Sequence, residues 1–316
     1  MKVLLIVPKF FTYEIYIKKE LQNLGYNVRM IYENANEFSL KTKAQINIIG
    51  DKKKYFERYY MNAIEKEVYD FVLVIRGSSL SVSVLNYIRE RMPNCKMHMY
   101  QWDSVRNNPN ALTIAPLFDK VSTFDLVDAK KYGWNYRPLF YIESSPRCEA
   151  RKYDIAYICT LHSQRIKVFN KLKDYKCSKL LYMYSKFSHF VKERYLKHNQ
   201  DFKGVSIREV MFRSLTLEKS NSIMSNSNII VDYTHPGQTG FTMRTCEAIG
   251  HRCKLITNNK MVYEADFYDP ANIYVYDIEN FMIPTIFGEN PFKELDRTVY
   301  ERYSISNWIK EIIDYE

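Results

Sequence analysis

Arg244 and Glu247, one helical turn apart in "QTGFTMRTCEAIGHRCKLITNN" (238–259), have the spacing in this chain that most suggests chemistry. Helical periodicity puts Gly240, Arg244 and Glu247 on one face and Phe241, Thr245 and Ala248 on another. The apolar side can then pack on a sheet while the Gly–Arg–Glu side meets a ligand. Thr239 reads as the helix cap. Gly240 lets a ligand approach the N-terminal N–H groups, where the helix dipole favours an anion. The same spacing also describes an exposed ion pair worth only about 0.3–0.5 kcal/mol, and such pairs are common.

Other candidates end short apolar runs. Lys9 and Tyr13 follow "KVLLIVP", Arg76 ends "YDFVLVIRG", and Trp102 and Asp103 lie in "MYQWDS". Thr160, His162 and Arg165 lie in "YICTLHSQR", Gln238 precedes Thr239, and Asn258 follows "CKLIT". In open α/β sheets, ligands bind beyond the carboxyl ends of the strands, which is where these residues fall. Asp103 is the first choice for a base that takes a proton from a hydroxyl nucleophile. It reads equally well as a turn or capping Asp. Glu14 and His162 are weaker candidates, since a strand-end His is commonly a satisfied polar residue. Arg76 reads either as an anion contact or as the partner of a strand-end acid. Asp125 and Asp128 in "FDKVSTFDLVD" read as acids at a helix start, not as part of a metal cluster with Asp119.

These residues need elements to position them. Buried apolar runs alternate with amphipathic segments: "KVLLIVP", "NVRMIY", "YDFVLVIRG", "KMHMYQWDS", "KVSTFD" and "YRPLFYI" read as strands with helices between them. The pattern restarts with "YDIAYICT", "SKLLYMYS", "NIIVDYT", "CKLITNN" and "NIYVYD", with a helical region expected near 188–220. Strand–helix–strand alternation gives parallel strands with right-handed crossovers, and so a doubly wound α/β fold. The polar stretch "YIESSPRCEARK" reads as a linker, dividing the chain into domains 1–148 and 149–316. The final helix, "SISNWIKEIIDYE", is left free to pack back on the N-terminal domain.

The bulk composition narrows the function. A chain of 316 residues suits two domains. Six Cys without a CxxC pair fit thiols in a reducing cytoplasm. The apolar run at the N-terminus stops at Pro8, too short for a signal peptide, and no segment reaches the roughly 18 apolar residues of a membrane span. The absence of GxGxxG and GxxxxGK[ST], with only nine Gly, argues against NAD and against a P-loop nucleotide site. The Cys have no His at metal spacing, and neither a metal nor a cofactor is expected. The net charge of +10 points to an anionic partner. An anionic membrane face is preferred to nucleic acid, for which no recognition element is visible.

The segment 238–259, following "NIIVDYTHPG", resembles the nucleotide-sugar-binding segment of bacterial GT-B glycosyltransferases of the capsule and lipopolysaccharide kind. "MYQWDS", "FDKVSTFDLVDAKKYG" and "RPLFY" look like the acceptor half of that group, and "YICTLHSQR" like its early second-half loop. The resemblance implies two Rossmann-like domains facing a cleft, with the N-terminal one binding a glycan or lipid-linked acceptor. It makes Glu247 the ribose carboxylate and Arg244 a pyrophosphate contact or the orienter of Glu247. Thr160, His162, Arg165, Gln238, Thr239, Gly240 and Asn258 complete the donor side; Lys9, Tyr13, Arg76 and Trp102 form the acceptor side, with Asp103 catalytic. The E-x7-E arrangement of some GT-B families is missing, because Thr239, not an acid, stands eight residues before Glu247. The implied activity is transfer of a sugar from a nucleotide-sugar donor without a metal, in the cytoplasm or at the inner face of the membrane. The alternatives are a non-catalytic GT-B-like glycan- or nucleotide-binding module and, more distantly, a nucleic-acid-binding α/β protein.

Overall fold

The computed structural model describes residues 1–33, 40–142, 150–162, 164–202, 204–235 and 237–314. The chain divides into two compact units, Met1–Leu139 with Gly237–Gly240 and Ile305–Glu316, and Phe140–Pro236 with Phe241–Ser304. The boundary expected near residue 148 lies outside the described residues. Among the described residues, no helix is long and apolar enough to cross a membrane.

The strands of the first unit are β1 (Lys2–Pro8), β2 (Asn27–Glu33), β3 (Phe71–Ile75), β4 (Lys96–Gln101), β5 (Lys120–Thr123) and β6 (Asn135–Tyr136). Its helices are α1 (Tyr13–Asn23), α2 (Leu40–Ile49), α3 (Lys52–Ile64), α4 (Val82–Arg91), α5 (Asn110–Ile114) and α6 (Leu126–Tyr132). The strands form one parallel sheet in the order β2-β1-β3-β4-β5-β6. Val3 to Val7 and Phe71 to Ile75 are buried throughout, as strands covered on both faces must be. The order reverses between β1 and β3, so the loops after these strands open the crevice where such sheets bind ligands. The expected strand "YRPLFYI" is shorter than its apolar run. It stops at Tyr136, because Pro138 has no N–H to continue the ladder.

The second unit has β7 (Tyr153–Thr160), β8 (Lys179–Tyr184), β9 (Val210–Met211), β10 (Ser227–Val231), β11 (Lys254–Thr257) and β12 (Ile273–Val275). Its helices are α7 (Gln164–Lys173), α8 (Phe187–Val191), α9 (Leu217–Ser225), α10 (Met243–Gly250), α11 (Thr285–Glu289) and α12 (Arg297–Arg302). This sheet is also parallel, in the order β12-β11-β10-β7-β8-β9, so its switch point falls between β7 and β10. The helical region expected near 188–220 is interrupted by β9, whose Val210 pairs with Met183. A two-residue strand has too little periodicity to be seen in sequence. Both units are thus doubly wound, Rossmann-like α/β sheets.

The last helix, α13 (Ile305–Ile313), belongs to the first unit. It buries Ile305, Trp308, Ile309 and Ile312, one stripe of the helix, and Trp308 meets Tyr100 of β4 edge to face at 4.7 Å. His98 of β4 fastens the end of this helix. Its Nδ1 lies 2.6 Å from the Ile312 carbonyl and its Nε2 2.8 Å from Ser122 Oγ. A carbonyl can only accept, so Nδ1 carries the proton and Nε2 accepts from the hydroxyl.

Burial pushes His98 down to about 4. Its unfolded value is about 6.5, so between those pH values the unfolded chain takes up a proton that the folded chain refuses. The stabilisation is whole above about pH 6.5 and shrinks as pH falls, by about 2 kcal/mol at pH 5. Urea unfolding at about pH 7.5 and about pH 5 checks this. His98→Gln, which keeps both hydrogen-bond roles without titrating, should remove most of that difference.

Candidate functional site

In the first unit the chemistry gathers at the carboxyl ends of β1 to β4. The chain leaves β3 through Arg76, whose φ of 74° lies in the left-handed region, followed by Gly77 at 72°. The Gly77 N–H donates to the Ile75 carbonyl at 3.0 Å, closing a tight turn around a residue that pays for its conformation in strain. Three contacts hold it there. The Arg76 N–H donates to the Tyr100 carbonyl at 2.9 Å, and the Arg76 carbonyl accepts from Gln101 Nε2 at 2.6 Å and Asn108 Nδ2 at 2.9 Å. Gln101 and Asn108 are themselves buried and bonded to each other.

The guanidinium of Arg76 lies between two carboxylates. Nε donates to Glu33 Oε2 at 3.1 Å, and Nη1 stands 3.8 Å from Asp103 Oδ2. Of the two sequence readings of Arg76, the structure shows the pairing with a strand-end acid, Glu33 on β2. Burial raises the Asp103 carboxyl above the usual range, and Arg76 acts against that rise. Tyr13 and Trp102 come together through Phe10, whose ring stacks on Tyr13 at 6.0 Å and meets Trp102 at 5.5 Å. Lys9 is exposed beside them. Glu14 is buried at the start of α1 and accepts the Phe10 N–H at 3.1 Å. Phe10, Glu33, Gln101 and Asn108 were missed by sequence reasoning. For Phe10, Glu33 and Gln101 the signal was present, since each lies at or just past a strand end, whereas Asn108 lies well beyond the end of β4.

The helix carrying Arg244 and Glu247 starts later than the sequence suggests. α10 begins at Met243 with Thr242 as its cap, Thr242 Oγ1 accepting the Thr245 N–H at 3.3 Å. Thr239 and Gly240 precede the helix, and their N–H groups are not left for a ligand at a helix terminus. Both donate to Asp125 Oδ2, at 3.2 and 3.1 Å, and the Thr239 hydroxyl donates to Asp125 Oδ1. Asp125 also caps α6 through the N–H groups of Val127 and Asp128. Gln238, half-buried, precedes this clasp. Gly240 is required by space: a Cβ there would lie 2.4 Å from the Phe124 ring and 2.9 Å from its carbonyl oxygen.

The Arg244–Glu247 pair is real, with Nη1 2.7 Å from Oε2, but it is not the exposed pair that its spacing allows. Glu247 is 3% exposed. Arg244 also donates to Ser220 Oγ of α9 at 3.4 Å. The centre of the cluster is a residue not singled out in the sequence, Asp232, directly after β10. Its carboxylate is buried and accepts from Thr234 Oγ1 at 3.3 Å and Thr257 Oγ1 at 3.4 Å. Burial raises it, while Arg165, a bond from Thr242 and Arg244 pull it down, so both arginines act on one carboxylate at the switch between β7 and β10.

Arg165 stands in the first turn of α7. Nη2 donates to the Tyr233 carbonyl at 3.4 Å, and the guanidinium lies 6.0 Å from the Tyr233 ring centroid. Its Nε and the Tyr233 hydroxyl are buried without a hydrogen-bond partner among the described residues. His162 is pushed down to about 4 by burial and by the charges of Arg165, His235 and His189, so it is neutral near pH 7. Thr160 ends β7, half-buried. Asn258 is a clamp between the β10 and β11 loops, its Oδ1 accepting the Thr234 N–H at 2.7 Å and its Nδ2 donating to the Thr234 carbonyl at 2.9 Å. The second unit thus offers two cations, an unpaired buried hydroxyl and neutral imidazole at one strand-end crevice. That set can compensate an anionic, hydroxyl-bearing ligand.

No family model matches the chain, and no curated protein does. Among solved structures, the chain is similar to the glycosyltransferase of kitacinnamycin at 11% identity and a TM-score of 0.43, covering 98% of this chain and 94% of that one. It is similar to CalG4, the calicheamicin glycosyltransferase, at 9% identity and 0.45, with the same coverage. It is also similar to the ADP-heptose LPS heptosyltransferase II of E. coli at 10% identity and 0.37, covering 81% of this chain and 84% of that one. All three TM-scores fall below one half, so these likenesses lend no weight to a function.

Proposed function

We propose that the protein is a glycosyltransferase of the GT-B kind, moving a sugar from a nucleotide-sugar donor to a cell-surface glycan or lipid-linked precursor. The observation that carries this reading is the gathering of Arg165 and Arg244 about Asp232 at the β7–β10 switch point, with Glu247 paired to Arg244. Two of these residues lie in the segment that resembles a nucleotide-sugar site. In this reading the bond from the anomeric carbon to the diphosphate breaks, and Arg165 and Arg244 compensate the charge that leaves, without a metal. Glu247 takes the ribose. Asp103 accepts the proton of the acceptor hydroxyl, and Tyr13, Trp102, Lys9 and Arg76 border the acceptor. The basic net charge of the chain supports a location at an anionic inner-membrane face.

Asp103→Asn should lower kcat by about 10²- to 10⁴-fold while leaving donor affinity unchanged. Steady-state transfer assays and calorimetry on the same variant check this. Unchanged kcat would remove Asp103 from the reaction. Donor binding with no turnover by the unaltered protein, for any acceptor tried, would favour a non-catalytic binding module.

A further inference from the structure

We infer that Glu33 is a positioning residue for Asp103: from the end of β2 it holds one side of the Arg76 guanidinium and so limits how much of that charge Asp103 receives. The importance of this to catalysis rests on Asp103 being the base proposed above; the electrostatic claim does not.

Both Glu33 oxygens are committed to the loop after β3. Oε2 takes Arg76 Nε at 3.1 Å and Oε1 takes the Ser79 N–H at 2.8 Å. The Glu33 side chain has no exposure, whereas that of Asp103 is 39% exposed and stands farther from Arg76, at 3.8 Å. One cation shared by two carboxylates favours the nearer and less solvated one. The left-handed backbone of Arg76 is pinned by Tyr100, Gln101 and Asn108, and its guanidinium is held by the bond from Nε to Glu33. Asp103 is thereby left easier to protonate than a carboxylate with an arginine to itself, which suits a group that must accept a proton.

Of the other charged groups of this region, Asp128 of α6 accepts the Val105 N–H at 2.7 Å, Glu14 of α1 accepts the Phe10 N–H, Lys9 is exposed, and Arg106 lies against Gly237. Among the described residues, Arg76 is the charged group whose charge acts on Asp103, across 3.8 Å.

The test is a carboxyl carbon NMR titration of Asp103 in the intact chain without substrate. Glu33→Gln keeps an oxygen for Arg76 but removes the competing charge, and should lower the Asp103 titration by about one pH unit. Arg76→Met should raise it by a similar amount, about one unit. In the Arg76→Met background the Glu33→Gln shift should vanish, which separates an effect carried by Arg76 from direct repulsion. An Asp103 titration unchanged by Glu33→Gln, or shifted equally with and without Arg76, would overturn the inference. If Glu33→Gln does not fold, Arg76→Met alone decides: a titration that fails to rise shows that Arg76 charge does not reach Asp103. None of these readings needs a nucleotide or an acceptor, so the inference can fail while the proposed activity stands, and the reverse.

Discussion

Replacing Asp125 with Ala is expected to destabilise the protein by about 3–5 kcal/mol, the largest stability loss for any single polar side chain described above. The carboxylate is buried and accepts from five donors: the N–H groups of Val127, Asp128, Thr239 and Gly240, and the Thr239 hydroxyl. Loss of a helix cap alone costs about 1 kcal/mol. Each buried donor left without an acceptor adds about 1–3 kcal/mol, and the N–H groups before α10 are among those stranded. Asp125→Asn should lose less, because its single oxygen can serve one side of the clasp. Gly240→Ala should behave like Asp125→Ala for a different reason, since the added methyl meets the Phe124 carbonyl. Urea unfolding midpoints measure all three. A loss under about 1 kcal/mol for Asp125→Ala would mean that the 237–240 segment finds other partners at little cost.

The second large effect is on ligand affinity. Arg165→Met is expected to weaken binding of the nucleotide-sugar donor by about 10- to 100-fold, the value of one charge-assisted contact at about 1.5–3 kcal/mol. Among the described residues the Arg165 side chain makes one long hydrogen bond, to the Tyr233 carbonyl, and leaves its buried Nε unpaired, so its loss costs folding chiefly the charge that it lends to Asp232. Glu247→Gln should also weaken the donor. It retains the shape of the buried side chain but cannot accept from ribose hydroxyls as strongly, and it releases Arg244 from its ion pair. Isothermal calorimetry reads both variants. Equal affinity in Arg165→Met and the unaltered protein would place the diphosphate elsewhere.

Much of the fold can be read from the sequence. Runs such as "KVLLIV" and "FVLVI" have no alternation, as buried parallel strands should, and Gly25 sits just past the last turn of α1 with φ of 87°. Asp125 as a helix-start acid follows from local rules too. What local rules could not supply is its second role, because Thr239 and Gly240 lie more than a hundred residues away. Thr239 and Thr242 are equally good caps by type; Thr242 caps the helix, while the Thr239 hydroxyl is bonded to Asp125. The site shows the same division. The rule of strand carboxyl ends pointed to Arg76, Asp103, His162 and Arg165. The buried polar residues that hold them, Glu33, Gln101 and Asp232 at strand ends and Asn108 in the loop before α5, look ordinary until the sheets are assembled.

The most direct test of the central claim is calorimetric titration of the unaltered protein with a panel of UDP-, GDP-, CMP- and dTDP-sugars. The account predicts saturable binding of at least one nucleotide sugar, weakened in Arg165→Met. Absence of binding across the whole panel would contradict it.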